Sequence, residues 1–361
     1  MTDILTLDGS HGEGGGQILR TALSLSAITT RPFRALNIRA GRRNPGLLPQ
    51  HVSAVRAAAA ICGASISGDD LGSTEVTFAP SRAPGAGSYV VDVAETTERG
   101  SAGSVTLILQ TLAVPLALAE GASELTVRGG THVEWSPPFD DFADAYLPAL
   151  RRMGFGVDAE LKRWGWYPVG KGEAVCTIAG RPPRGEQGDV WPRPIQAIER
   201  GALRRVAGHA VAANLQVRIP QRMADRAHAA LADLGVPVDI AARRVTAACP
   251  GAGIFLRSDY ESWVASFSAY GRLGKPSEAV ADDAVAALRE HHACNAAIDI
   301  HLADQLLLPL SFAGGPSAFT TVRSTEHLVT NAWVIGALGV ADVAIETTAA
   351  CRVRIEPRRS R

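Results

Sequence analysis

Apolar positions recur along this chain in short helical and strand-like patterns, and the order of the patterns repeats. In "PQHVSAVRAAAAICG", Val52, Val55, Ala59 and Cys62 fall on one helical face, opened by Pro49 and stopped by Gly63. "PFDDFADAYLPALRRMG" follows the same plan, with Phe139, Phe142, Tyr146, Leu150 and Met153 on one face, Pro138 before them and Gly154 after. A short strand ending in arginine (Arg39, Arg128) and a glycine-bearing polar loop precede each helix, and a new strand follows. Gly41 stands as far from Pro49 as Gly130 does from Pro138. A looser third copy, "FTTVRSTEHLVTNAWVIGALGVADVAIE", carries Arg323, a helix beginning near His327, and the stop Gly339. Such recurrence predicts an α+β fold of similar modules packed together, not one doubly wound sheet.

Between the second and third copies the texture changes. "RPPRGEQGDVWPRP" (Arg181–Pro194), rich in proline, glycine and charge, reads as a boundary. It leads into a strand–helix–strand–strand segment that ends near "YGRLGKP". From Arg181 to Arg244 there are eleven arginines, no lysines and six acids, a net +5. Either a solvated surface or a nucleic-acid contact face has that composition.

The whole chain is neutral, with 36 basic and 36 acidic residues among 361, which argues against a general polyanion-coating role. Five well-separated cysteines with no CxxC pair suit buried thiols in a reducing compartment. The run "VTLILQTLAVPLALA" is too short to span a bilayer and is interrupted by Gln110 and Pro115. No basic leader opens "MTDILTLDGS", so a soluble cytoplasmic protein is expected.

Candidate chemistry begins at "LDGSHGEGGGQILRTALSLS". A glycine loop feeding a helix is either a tight structural turn or an anion site. It matches neither GxxxxGK[ST] nor GxGxxG, and it holds a carboxylate, Glu13, among the glycines. A carboxylate belongs in an anion site if a divalent cation bridges it to phosphates. Arg20, Arg39, Arg42 and Arg43 cluster in sequence around this and the next loop, and guanidinium forks suit phosphate oxygens. His327 follows Ser324 and Thr325, either of which can cap the next helix, so its imidazole belongs to the first turn. There the helix dipole favours the neutral ring, the form able to attack phosphorus, near its ordinary pKa of about 6.5. Asp304 and Gln305 head the apolar helix of "HLADQLLLPLSFAG", either complementing its dipole or bonding a base or ribose. No histidine pair has zinc-site spacing.

Taken in order, "LDGSHGEGGGQILRTALSLS", "IRAGRRNPGLLPQHVSAVRAAAAICGA", "GSVTLILQT", "VRGGTHVEWSPP", "GWYPVGKGE", "LADQLLLP" and "STEHLVTN" resemble the RNA 3′-terminal phosphate cyclase family over nearly the whole chain. The resemblance implies an ATP-dependent enzyme that converts an RNA 3′-phosphate end into a 2′,3′-cyclic phosphate. The family histidine that takes AMP from ATP and passes it to the RNA phosphate aligns with His327. By the same resemblance Glu13 contacts Mg²⁺ or Mn²⁺, while Arg20, Arg39 and Arg42 bind phosphate. Nucleotide contacts fall on Gln110, Pro137, Asp304 and Gln305, and on His301, which stands where the family usually has tyrosine. The implied fold is a set of repeated modules resembling a translation initiation factor C-terminal domain. Residues 1–187 and 276–361 would form the catalytic repeat domain, and residues 188–275 a smaller inserted α+β domain. Two other readings are a catalytically silent relative serving as a ribosomal-RNA processing factor, and an enolpyruvyl-type transferase built from similar repeats.

Overall fold

The structure is a computed structural model that describes residues 4–96, 101–183, 190–347 and 350–358. The first module runs β1 (Leu5–Asp8), α1 (Gln17–Thr29), β2 (Phe33–Leu36), α2 (Pro49–Cys62), β3 (Ser65–Ser67) and β4 (Val76–Ala79). The second runs β5 (Ser88–Asp92), α3 (Val105–Ala117) and β6 (Ser123–Gly129), then a helical stretch, then β7 (Val157–Arg163) and β8 (Gly172–Ile178). That stretch joins α4 (Phe139–Asp141), a π turn (Phe142–Tyr146) and α5 (Leu147–Arg152). The third opens with β9 (Gln196–Ala197). It resumes, after an insertion, with a helix at Ile300–Leu310, a strand at Ser317–Thr321, a helix at Glu326–Ala337, and strands at Ala341–Thr347 and Cys351–Pro357.

The insertion holds β10 (Leu203–Ala213), α6 (Arg218–Leu231), β11 (Val238–Val245), β12 (Gly251–Tyr260), β13 (Val264–Tyr270) and α7 (Ser277–Ala293). The resumed third module is therefore α8, β14, α9, β15 and β16 in turn. All three modules share one topology, β1-β2-β4-β3, β5-β6-β8-β7 and β9-β14-β16-β15. In each, the first pair is parallel and the other two are antiparallel. A parallel pair requires a helical crossover, and each module supplies one. This is the mixed α+β architecture of repeated units that the apolar periodicity predicts.

The predicted helical faces all lie in one hydrophobic core shared by the three modules. Val52, Val55, Ala59 and Cys62 are buried there, as are Phe139, Phe142, Tyr146, Leu150 and Met153. All five cysteines are free thiols. Among the described residues no helix is long and apolar enough to cross a membrane.

Packing draws the insertion differently from residues 188–275. β9 pairs with β14, so the third module starts before the inserted segment, which lies between β9 and α8. α7, beyond residue 275, buries Val280, Ala281, Ala284, Val285 and Leu288 against the β10–β13 sheet and α6. The change of composition marks a change of surface, whereas the unit itself is defined by which apolar face each helix buries. Gly188 and the end of the basic tail "EPRRSR" lie outside the described residues. The insertion is tied to the second module by a largely buried carboxylate. Asp140 stands 2.6 Å from His132 Nε2 and 2.9 Å from His209 Nε2.

Candidate functional site

The glycine loop lies between β1 and α1, with its chain direction set locally: Asp8 Oδ1 accepts from the Ser10 amide at 3.0 Å. Two of its glycines leave room for the protein's own side chains. A Cβ on Gly12 would lie 2.5 Å from Thr330 Oγ1, and one on Gly16 would lie 2.1 Å from His51 Nε2. His51 is buried, so it cannot swing aside. Gly16→Ala is therefore expected to cost about 1–3 kcal/mol by overpacking. The check is a urea unfolding curve, whose midpoint should fall without a change in slope.

α9 brings the candidate nucleophile to this loop. Thr325 caps the helix by accepting from the Leu328 amide at 3.1 Å, and His327 follows in the first turn. The same face of α9 continues as Thr330 and Asn331, one turn along. Thr330 Oγ1 accepts from the Glu13 amide at 3.3 Å. Asn331 donates to the Asp304 carbonyl at 3.0 Å and accepts from Thr21 Oγ1 at 2.6 Å, clamping α9 to α8 and α1.

A relay fixes the imidazole. Burial pushes the Asp304 carboxyl up to about 6, which still leaves it ionised at neutral pH and able only to accept hydrogen bonds. Gln17 Nε2 donates to Asp304 Oδ2 at 2.6 Å, which turns the Gln17 amide oxygen toward His327 Nδ1, its hydrogen-bond partner. Nδ1 thus carries the hydrogen, and in the neutral ring Nε2 keeps its lone pair. Glu13 Oε2 lies 3.0 Å from the same Nδ1, at ion-pair distance but without an aligned donor, because the one N–H points to Gln17.

The sequence predicts an imidazole near its ordinary pKa, but in the fold it lies higher. Glu13 raises the ring's pKa most, and Asp304 adds to this against the opposing effects of burial and Arg20. Helix-terminus polarity is outweighed by a carboxylate in direct contact. The same two carboxylates stabilise any positive charge that develops on the ring when Nε2 forms a bond.

The arginines divide by role. The Arg20 guanidinium makes no hydrogen bond or ion pair among the described residues. Burial lowers its pKa to about 10, so it remains a cation with its donors unspent, facing Asp304 and Glu13. Arg42 forms an ion pair with Glu13 Oε1 and donates to the Glu13 carbonyl at 3.2 Å. Arg39 does not end a strand: β2 stops at Leu36, and Arg39 has φ +55°. Its guanidinium donates to the carbonyls of Asn44 at 2.6 Å and Gly46 at 3.0 Å, closing its own loop. His51, pushed down to about 3 by burial and by Arg20 and Arg39, stays neutral between them. The corresponding arginines of the other modules are spent on acids, Arg128 on Glu173 and Arg323 on Glu290.

A second line of polar contacts runs beside the relay. Gln110 Nε2 on α3 donates to Gln305 Oε1 at 2.7 Å, and Gln305 Nε2 donates to the His301 carbonyl at 2.8 Å. α8 is capped by Asp299, so Asp304 and Gln305 lie in its second turn and not at its head. The His301 ring is exposed. One turn before Gln110, Thr106 Oγ1 donates to the Pro137 carbonyl at 2.6 Å. Side chains thus join Glu13, Arg42, Gln110, Asp304, Gln305 and His327 in this network, whereas Pro137 and His301 are reached only at their backbone carbonyls and Arg39 bonds only its own loop.

Sequence reasoning missed Gln17, Thr330, Asn331 and His51. The α9 face at i, i+3 and i+4 from His327 was a usable signal for two of them. Nothing local marked Gln17 or His51.

Among the described residues no three His, Cys, Asp or Glu side chains gather as a metal-binding set. Glu13 does offer a buried carboxylate oxygen with no hydrogen-bond donor aligned on it. A hard divalent cation would find one carboxylate contact there, and its other ligands would have to come from outside the protein.

The arginines of the insertion are less available than their count implies. Arg204, Arg205, Arg222 and Arg226 pair with Glu261, Asp239, Glu278 and Asp282. Three of those acids lie beyond the window in which the surplus was counted.

Comparison with known proteins places this arrangement. A profile of the family described as RNA 3′-terminal phosphate cyclase matches residues 11–345. A protein of that name from Methylococcus capsulatus is 51% identical over 342 residues, covering 95% of this chain and 93% of that protein. Another, from Gloeothece citriformis, is 47% identical, covering 94% and 95% respectively. A third, from Salmonella agona, is 40% identical, covering 93% and 92%.

Proposed function

Because this chain belongs to the RNA 3′-terminal phosphate cyclase family, we propose that it cyclises RNA 3′-phosphate ends by way of AMP carried on His327. The observation that carries the proposal is the oriented imidazole: Asp304 turns Gln17, Gln17 holds Nδ1, and Nε2, on a half-exposed ring, has no hydrogen-bond partner among the described residues.

The chemistry follows from that tautomer. The Nε2 lone pair attacks the α-phosphorus of ATP, the bond from that phosphorus to the bridging oxygen breaks, and pyrophosphate leaves with the electron pair. The ring then bears phosphorus on Nε2 and hydrogen on Nδ1, a cation that Glu13 and Asp304 stabilise. An oxygen of the RNA 3′-phosphate attacks the same phosphorus, and the imidazole leaves neutral, giving RNA-(3′)pp(5′)A. The terminal 2′-hydroxyl oxygen then attacks the 3′-phosphorus, losing its proton as AMP departs with the electron pair of the anhydride bond. A phosphate monoester is a poor electrophile, and the AMP leaving group is what activates it.

Arg20, with its guanidinium donors unspent, would meet the phosphates, and Arg42 would exchange Glu13 for a phosphate oxygen. Gln110, Pro137, His301 and Gln305 would hold the nucleoside. Mg²⁺ or Mn²⁺ against Glu13 would supply neutralisation of the pyrophosphate charge.

The test is incubation with ATP labelled at the α-phosphate and either cation. Label should stay on the protein, acid-labile and alkali-stable as a phosphoramidate is. Adding 3′-phosphorylated RNA should discharge it and leave an end resistant to phosphatase. Absence of label, with the RNA end unchanged, would favour the silent ribosomal-RNA factor instead.

A further inference from the structure

Apart from Pro137, the motifs "THVEWSPP" and "GWYPVGKGE" remain outside the chemistry above, yet the fold invests heavily in them. The loop at 130–138 is pinned to the start of α3. The Val105 amide donates to the Gly130 carbonyl at 2.9 Å, and Thr106 donates to Pro137. The loop at 164–171 is stitched to it, with the Thr131 and His132 amides donating to the Gly165 carbonyl at 2.9 and 3.0 Å. Beneath both, the His132 ring stacks on Trp164 at 4.3 Å and on Trp166 at 5.2 Å, and Asp140 holds its Nε2.

This rigid base presents aromatic rings to solvent. Among the described residues the exposed large aromatics are Trp135, 97% exposed, and Tyr167, 75% exposed. Both stand on these two loops. Trp135 is two residues from Pro137 and has φ +64°, a conformation that a bulky residue rarely adopts without a purpose.

The loops also adjoin a basic cavity. Trp164 forms a bridge with Ala247, whose carbonyl accepts from Asn214 Nδ2 at 2.7 Å. Asn214 lines a cavity of about 670 Å³ together with Gln216, Arg218 and Arg244. Unlike their neighbours Arg204, Arg205, Arg222 and Arg226, Arg218 and Arg244 have no acidic partner among the described residues.

We propose that Trp135, Tyr167 and the Arg218–Arg244 cavity form a track for the single-stranded RNA upstream of the reacting end. Bases stack on the two rings, and a backbone phosphate enters the cavity. The assignment to RNA rests on the cyclase reading, and on continuity from His327 through Asp304, Gln305, Gln110 and Thr106 to the Pro137 loop. Aromatic faces beside free guanidinium groups are what an unpaired strand requires, because every base offers a π-face and every nucleotide a charge.

The test uses the full chain with a 3′-phosphorylated decanucleotide and a 3′-phosphorylated dinucleotide. For the decanucleotide, Trp135→Ala and Tyr167→Ala should each raise KM about tenfold, with Trp135→Phe restoring most of it. Arg218→Ala with Arg244→Ala should weaken decanucleotide binding and reduce the salt slope of log Kd by about 0.7, the share of the one phosphate in the cavity. The dinucleotide, too short to reach the cavity, should respond little to the arginine pair. Self-adenylylation needs no RNA and should keep its rate in all of them. Unchanged decanucleotide KM in the aromatic variants, or equal loss for both substrates in the arginine pair, overturns the track. A raised ATP requirement in Trp135→Ala overturns its RNA role in favour of the nucleotide. RNA affinity is also read by fluorescence anisotropy, so the track can be judged even if no protein–AMP forms.

Discussion

His327→Ala is expected to leave no AMP on the protein and to lower RNA cyclisation by a factor on the order of 10³ or more, since an absent nucleophile has no partial substitute. The loss should be chemical. The His327 side chain is half exposed, and its partners Glu13 and Gln17 keep Arg42 and Asp304. Thermal stability should therefore move by no more than about 1 kcal/mol, the range of surface ion pairs. RNA that already carries the 3′-adenylyl group separates the steps. The variant should still cyclise it, because the attack of the 2′-hydroxyl on that intermediate does not use the imidazole lone pair. Undiminished labelling of a folded His327→Ala protein would move the nucleophile elsewhere.

Glu13→Gln is expected to change both the rate and its pH dependence. The carboxylate is the main cause of the raised His327 pKa, so its removal should bring the ring down toward or below the ordinary 6.5. Self-adenylylation requires the neutral ring, and its rising limb with pH should therefore begin lower in the variant than in the parent. The plateau should nonetheless fall, by about 10²-fold, because the developing cation loses its nearest anion and the cation contact is gone. Stability follows the same pair. The folded His327 pKa lies above its unfolded value, so that contribution is complete below about pH 6.5 and fades as pH rises through the raised value. Glu13 is depressed, so its contribution is complete above about pH 4.5 and fades as pH falls through the lowered value. Glu13→Gln should thus cost more stability near pH 5.5, where both partners are charged, than near pH 8.5, where the pair with Arg42 is what remains. Proton NMR titration of the His327 ring in metal-free protein, with urea curves at both pH values, checks both statements. An unmoved ring titration would show that Glu13 does not control the imidazole.

Much of the site was legible because its signals are local. Thr325 before His327 marks a cap three residues from the amide that it accepts, and the glycine run before Gln17 marks a loop feeding a helix. Arg39 was read as the end of a strand that stops at Leu36, for an equally local reason. An arginine after an apolar strand reads alike whether its side chain faces a ligand or folds back on Asn44 and Gly46. The surplus of arginines in the insertion overstated the free charge for the opposite reason, since several of their acids come from outside the counted window.

The sequence by itself determined the repeated βα units, the buried faces of the helices, and the placing of a histidine in the first turn of one of them. Those follow from periodicity and capping, which act over a few residues. Only the tertiary structure decided that Gln17 would meet a histidine 310 residues away, that a glutamate would raise that histidine's pKa, and that a helix past the composition boundary would complete the inserted unit. Contacts at such separations, and the fields they create, depend on how the modules pack, and no local spacing records that.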